Sequence, residues 1–363
     1  MKILFVTRST LFTVRGGDTV QILETAAHLR EVGIEVDIKT SSEITEYNGY
    51  DLIHFFNIIR PADIIQHIRK SKLPFVVSTI FVDYSEYDKE FRKGVSGFVF
   101  KLLHSDAVEY LKNIFRSLLT SNEKIPLRYI LYGHKKTLKE IAYKASLLLP
   151  NSESEYNRLK LQYGINSPYM VIPNGIRPDL FTGNVNPIEK DEHLVLCAAR
   201  IEGVKNQLHL IKALNNTRFK LLLIGNPAPH QMSYYKQCRE LAASNIEFIP
   251  QLPQQELVAY YKKAKVHVLP SLFETTGLSS LEAAVMGCNI VISNRGDVKD
   301  YFKDFAFYCD PVSTHSILQT IENAAAAPVD PLLKAHIQSN FTWQKAAAQT
   351  LIAYKKVLAA KNR

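Results

Sequence analysis

The sequence predicts an α/β protein built from two Rossmann-like, doubly wound domains. Short apolar, β-branched segments alternate with helical ones, and the alternation stops near mid-chain and then starts again. The length of 363 residues exceeds one ordinary core and suits two domains of about 150–200 residues.

Residues 2–7 read as the first buried parallel strand, followed by a loop containing Gly16-Gly17. A helix is expected from about Asp18, with Val20, Leu23, Ala27 and Val32 recurring near helical spacing and Gly33 as its C-cap. Residues 34–40, 52–56 and 75–79 read as further strands. From about 90 to 145 the rhythm breaks. Phe98-Val99-Phe100, Leu102-Leu103 and Tyr110-Leu111 lie among Lys and Arg, a pattern of long amphipathic helices. Strands are expected again at 146–150 and 169–173. Pro178, Gly183, Asn184, Asn186 and Pro187 then mark a linker within 174–192.

Past the linker the pattern restarts. Strands are expected at 194–199, 219–224, 246–249, 266–269, 290–293 and 306–309. Helices are expected from near Asn206 and near 230–243, 254–263 and 277–287, with an alanine-rich one at 343–361. The predicted division is 1–173, carrying a basic amphipathic insertion at 91–145; 174–342; and 343–363, a helix crossing back to the first domain. In such sheets ligands are expected at the carboxyl ends of the strands.

Composition narrows the class. Hydrophobic residues make up 46% and charged residues 22%, which suits a globular chain. The apolar start is too short for a signal-peptide core, and no run approaches the ~18 apolar residues of a spanning helix. Cys197, Cys238, Cys288 and Cys309 are scattered without metal-ligand spacing, so reduced, structural thiols and a cytoplasmic location are expected. Most of the net charge of +9 sits in 91–145, where eleven Lys/Arg face four Asp/Glu. Such a segment suits an anionic membrane surface or a phosphorylated substrate, or is a solvated helical face packing its apolar side on the domain. No nucleic-acid-binding motif accompanies the charge, so no nucleic-acid partner is expected.

The strongest local signal is Pro270-Ser271-Leu272-Phe273-Glu274-Thr275-Thr276-Gly277-Leu278-Ser279-Ser280-Leu281-Glu282-Ala283-Ala284. A strand is expected to end before Pro270 and a helix to begin near Gly277. Amides of Thr276, Gly277 and Leu278 at that helix start would form an anion site, with a carboxylate on either side to accept from sugar and ribose hydroxyls. Taken alone, Glu274 and Glu282 are equally a loop acid and a solvated helical glutamate. Arg200 and Lys205, five apart after a strand, could converge on one phosphate pair or be ordinary surface cations. Gly16-Gly17 would admit a diphosphate close to the backbone or be simply a tight turn.

Together these segments resemble the large retaining glycosyltransferase family with a Glu-x7-Glu motif (family 4-like, glycosyl transferases group 1). Glu274 and Glu282 have its spacing, and Ala199-Arg200-Ile201-Glu202-Gly203-Val204-Lys205-Asn206 is similar to its donor-phosphate segment. Val171-Ile172-Pro173-Asn174-Gly175-Ile176 with Asp179 and Phe181 is similar to its interdomain turn, Pro150-Asn151-Ser152-Glu153-Ser154 to the strand end before it, and Gly16-Gly17 to its glycine loop. The resemblance implies the GT-B fold, two Rossmann-like domains facing across a cleft. It also implies a retaining transfer of a sugar from a UDP- or GDP-sugar to a saccharide or lipid-linked acceptor in cell-surface polysaccharide synthesis. Arg200 and Lys205 would then meet the diphosphate, Glu274 the sugar and Glu282 the ribose, with the base near Pro250 to Leu252.

No Asp-x-Asp occurs in the chain, so no metal or other cofactor is expected, and side chains take the place of a divalent ion. Many relatives carry a His after the strand matching 75–79; here Asp83 stands near that place, either a loop acid or a catalytic residue that holds sugar or orients acceptor. His54, apolar on both sides, reads as a core histidine. An epimerase, a phosphorylase or a non-catalytic nucleotide-sugar-binding subunit would share these features. Peripheral attachment at the inner face of the membrane is expected if 91–145 docks on lipid.

Overall fold

The computed structural model describes residues 1–43, 46–82, 110, 126–181 and 189–361. Asp83, residues 91–109 and 111–125 of the basic insertion and 182–188 of the linker lie outside the described residues. The chain forms two compact units, Met1–Asn174 joined by the C-terminal helix, and Gly175–Thr342.

The first unit is a parallel sheet of β1 (Lys2–Thr7), β2 (Glu35–Thr40), β3 (Leu52–Phe56), β4 (Phe75–Ser78) and β5 (Leu147–Leu149), in the order β2-β1-β3-β4-β5. β1 and β3–β5 are almost wholly buried, which is why they read as continuous apolar runs rather than alternating ones. The helices are α1 (Gly17–Glu31), α2 (Pro61–Ser71), α3 (Leu127–Lys144) and α4 (Glu153–Tyr163). Pro61 opens α2 where its missing N–H costs nothing. Ser152 caps α4 by accepting from the Glu155 amide at 3.0 Å.

Three sequence expectations need correction. α1 buries Thr19, Ile22, Thr25, Ala26 and Leu29, whereas Leu23 and Ala27 face outward. The apolar stripe misled because the inner face of this helix mixes Thr and Gln with its apolar residues. Residues 169–173 form only a single bridge, Tyr169 with Leu148: Met170 and Ile172 donate to the carbonyls of Leu148 and Pro150 at 2.9 and 2.8 Å, but Pro150 has no amide to return to Met170. α3 is interrupted at Gly133, whose φ of 74° breaks the helical path.

Glu155, fully buried, holds the carboxyl ends of β4 and β5 together. Its carboxylate accepts from the Thr79 hydroxyl, the Phe81 amide at 2.8 Å and the Asn151 amide at 2.9 Å. Asn151 in turn exchanges amide hydrogen bonds with Gln21 of α1 at 2.8 and 3.2 Å. Three donors satisfy a carboxyl group that would be costly to bury without them.

The second unit is a parallel sheet of β6 (Asp191–Ala198), β7 (Lys220–Ile224), β8 (Ile246–Ile249), β9 (Ala264–Leu269), β10 (Asn289–Ser293) and β11 (Phe307–Cys309), in the order β11-β10-β9-β6-β7-β8. Its helices are α5 (Pro178–Phe181), α6 (Gln207–Leu214), α7 (Met232–Leu241), α8 (Gln254–Lys263), α9 (Leu278–Val285), α10 (Val298–Phe302), α11 (Thr314–Ala326) and α12 (Pro331–Asn340). The chain enters and leaves this unit side by side, since Ile176 donates to the Phe341 carbonyl at 3.0 Å. A Cβ on Gly175 would sit 2.3 Å from the Thr342 backbone, so only glycine allows that approach. All four cysteines are buried and free.

The last helix, α13 (Trp343–Lys361), belongs to the first unit and packs on α1. Its Tyr354 hydroxyl bonds His54 Nδ1 at 2.6 Å, and His54 Nε2 bonds the Ser78 hydroxyl at 2.8 Å. Burial holds the His54 pKa down at about 3, so the ring is neutral and satisfied. Tyr354→Phe, which strands one nitrogen of a buried ring, is expected to cost about 1–3 kcal/mol. Denaturant unfolding checks this, and unchanged stability would show that α13 is held by apolar packing alone.

Candidate functional site

The second sheet begins in its own middle. β6 is followed outward by β7 and β8, and the chain then crosses to β9, β10 and β11 on the other side. The point where the winding reverses lies between β6 and β9, and there the loops leaving the strand ends diverge and make a crevice. The loop after β6 carries Arg200 to Asn206, and the loop after β9 carries Pro270 to Gly277. Both sequence motifs therefore arrive at one place.

The two loops are tied to each other. Asn206, in a left-handed conformation with φ 62° that asparagine tolerates, donates to the carbonyls of Pro270 at 3.1 Å and Pro311 at 2.7 Å. The Leu272 amide donates to the Val204 carbonyl at 2.8 Å. A third segment grips Glu274: its amide donates to Arg295 O at 3.3 Å, and its carbonyl accepts from Asp297 N at 2.8 Å. Gly296, with φ 93°, allows this, because a Cβ there would lie 2.0 Å from the Glu274 carbonyl oxygen.

The side chains held in this frame pair among themselves. Lys205 Nζ meets Glu274 Oε2 at 2.5 Å, and the Ser271 hydroxyl donates to the same oxygen at 3.1 Å. Lys205 and Glu274 are mostly buried, so this is a charge-assisted contact rather than a surface pair. Arg200 Nη2 instead meets Glu202 Oε1 at 3.0 Å and stays partly exposed. The structure thus joins Lys205 to Glu274 and gives Arg200 a carboxylate of its own.

Glu282 is buried in α9, not solvated. It accepts from Gln254 Nε2 at 2.5 Å and from the Tyr261 hydroxyl at 3.0 Å. Burial raises its pKa to about 7, against these two hydrogen bonds, which lower it. Gly277, with φ 68°, caps α9, and the first intrahelical amides are those of Ser280 and Leu281, both donating to the Gly277 carbonyl. The earlier amides of the turn face outward along the helix axis, the geometry of an anion site. Thr276 is buried and its hydroxyl bonds Tyr301 at 3.3 Å, so its side chain supports the loop. Leu252, half-buried after β8, packs on the core beside the Gln251 amide, which donates to Asn226 at 3.1 Å.

In the first unit Gly16 caps α1, its amide donating to the Thr19 hydroxyl at 3.1 Å, and a Cβ on Gly17 would meet nothing within 4 Å. Arg8, which sequence reasoning passed over, organises this loop. It bonds both Asp18 carboxylate oxygens at 2.6 and 3.0 Å and the carbonyls of Thr10 and Val14. Also missed were Ser271, Gln254 and Tyr261. The last two stand seven residues apart on one predicted helix, a spacing that marks a shared face. Among the described residues no cluster of three His, Cys, Asp or Glu could hold a metal ion.

The raised Glu282 pKa makes a pH prediction. The unfolded chain ionises this carboxyl near 4.5, while the folded chain keeps its proton to about 7. The group therefore lowers stability as pH rises through that window, on the order of 3 kcal/mol when complete. The Tm of Glu282→Gln relative to the unchanged protein is expected to climb between about pH 5 and about pH 8. A difference independent of pH would contradict the buried, proton-retaining carboxyl.

Residues 182–339 match the family glycosyl transferases group 1. The chain is 24% identical over 262 residues to a D-inositol 3-phosphate glycosyltransferase of Streptomyces bingchenggensis, covering 62% of this chain and 56% of that protein. It thus spans a little over half the length of that relative. Among solved structures, sucrose-phosphate synthase from Thermosynechococcus elongatus superposes with a TM-score of 0.74 at 16% identity, over 99% of this chain and 100% of that one. Anabaena HepE in complex with UDP and glucose gives 0.70 at 15% identity, over 98% and 100%. At such identity the likeness is one of fold, and the fold is GT-B. The family match covers almost all of the unit that carries Lys205, Glu274 and Glu282, and in that unit the chain is similar to the glycosyl transferases group 1.

Proposed function

We propose that the protein is a retaining, metal-independent glycosyltransferase that moves a sugar from a UDP- or GDP-sugar to a saccharide or lipid-linked acceptor. The observation that carries this is the Lys205–Glu274 pair at the reversal point of the second sheet, beside the start of α9 and the buried Glu282. As the bond to the sugar lengthens, negative charge gathers on the leaving diphosphate. Lys205, Arg200 and the first amides of α9 are the groups that stabilise it, and a fixed cation stabilises such charge without reorganising at the moment of reaction. Glu274 accepts from sugar hydroxyls while Lys205 and Ser271 hold its carboxylate in place. Glu282 accepts from the ribose. HepE, whose fold this chain shares, has been solved with UDP and glucose, which supports a donor of that chemical class.

Thermal shift with UDP, GDP, ADP and their sugar conjugates, without added metal, tests the reading. One base is expected to raise Tm, and Lys205→Ala to abolish the shift. The same substitution is expected to slow transfer by about 10²–10³, the cost of losing one preorganised charge-stabilising group. No shift with any of these nucleotides would sink the donor assignment.

The acceptor side draws on α3. Leu127 and Leu131 are 71% and 72% exposed, and Ile130 and Tyr132 are exposed beside them. Lys135 and Lys136 are exposed past the Gly133 break. Apolar side chains next to cations suit an anionic lipid surface, where each cation contributes about 1 kcal/mol. No described helix is long and apolar enough to cross a membrane, so the contact would be peripheral. Flotation with vesicles containing anionic lipid is expected to carry the protein and to fail for Leu127→Asp/Leu131→Asp. Equal flotation of the two proteins, or none, would remove this reading.

A further inference from the structure

Gln254 and Tyr261 stand two turns apart on α8 and so share one face. That face meets α9 at Glu282, and the two side chains divide its carboxylate between them. Gln254 Nε2 donates to Oε1 at 2.5 Å and the Tyr261 hydroxyl to Oε2 at 3.0 Å. Each oxygen thus has one donor. Once ionised, above about pH 7, the carboxylate offers about four acceptor positions, so two remain.

Tyr261 is itself pinned from behind. Its carbonyl, at the carboxyl end of α8, accepts from Lys190 Nζ at 2.8 Å and from the Cys288 thiol at 3.1 Å. Lys190 also donates to the Met286 carbonyl at 2.8 Å, just past α9. One ammonium therefore ties together the ends of the two helices whose side chains meet at Glu282, in the place where the helix dipole favours a cation. The Tyr261 ring lies edge-on to His267, with centroids 6.0 Å apart. Nothing in this arrangement leaves the phenol free to swing.

We propose that Gln254 and Tyr261 are positioning residues that hold the Glu282 carboxylate with its two open acceptor positions directed to the 2′- and 3′-hydroxyls of a ribose. The proposal rests on the reading of Glu282 given above and names what makes that contact selective. A carboxylate fixed by two donors and shielded from water accepts a vicinal diol well. With a ligand lacking those hydroxyls, its remaining acceptor positions stay unfilled, and an unpaired buried polar group discriminates more strongly than a lost hydrogen bond alone. Without Gln254 and Tyr261 the carboxylate loses its orientation, and the preference for ribose goes with it.

The test uses the whole 363-residue chain at about pH 8, where Glu282 is ionised, and titration calorimetry with UDP, GDP and their 2′,3′-dideoxy analogues. The unchanged protein is expected to bind one ribonucleotide more tightly than its dideoxy form. Tyr261→Phe and Gln254→Leu are each expected to weaken the ribonucleotide about tenfold and to leave the dideoxy analogue nearly unaffected, so that the ratio collapses. A purely structural role would weaken both ligands alike, and that result overturns the proposal. So does a ribose preference that survives both substitutions, in which case the Glu282 reading stands without it. An unchanged protein that shows no ribose preference, or binds neither ribonucleotide, overturns both. Gln254 is only half-buried, so Gln254→Leu carries the test should Tyr261→Phe not fold.

Discussion

A parallel sheet wound outward from its centre has to leave two neighbouring strand ends with loops that part company. In residues 175–342 those strands are β6 and β9, and the site follows from that constraint. The loop after β6 brings a cation, the loop after β9 brings a carboxylate, and Lys205 meets Glu274 at 2.5 Å because the topology delivers both to the same edge. Asn206, reaching two carbonyls across the gap, keeps the loops in register. Gly296 lets a third strand end close on Glu274 from the other side.

Every ionisable group named in this frame is held by a protein partner. Glu274 has Lys205 and Ser271, Glu282 has Gln254 and Tyr261, and Arg200 has Glu202. A buried ionic group without such partners is costly enough to lose its charge. The partners also leave capacity to spare: a carboxylate with two donors still accepts two more, and an ammonium has three protons to share. Such a site is preorganised, since its groups need not rearrange much to receive a polar ligand.

The first unit uses the same device for a different end. Glu155 gathers the exits of β4 and β5 with three donors, and the Gln21–Asn151 pair ties that edge to α1. Arg8 does likewise for the loop before Gly16. These buried polar groups set the carboxyl edge of a sheet whose apolar body, from Leu4 to Leu148, would accept many packings.

Strand runs, the restart of the α/β pattern and the motifs around Arg200, Glu274 and Glu282 were legible in the amino-acid sequence, because burial on both faces of a parallel sheet writes itself as continuous apolar residues. The core placement of His54 was legible for the same reason. The inner face of α1 was not, since Thr and Gln there are buried by partners far along the chain. Residues 169–173 misled because an apolar run shows its propensity but not whether its neighbours have amides to offer. The partners of the site residues were also out of reach. That Lys205 meets Glu274 across 69 positions, or that Gln254 and Tyr261 divide the Glu282 carboxylate, depends on which strand ends the winding brings together. Local periodicity decides what each segment becomes; only the closed tertiary fold decides which charges share a site.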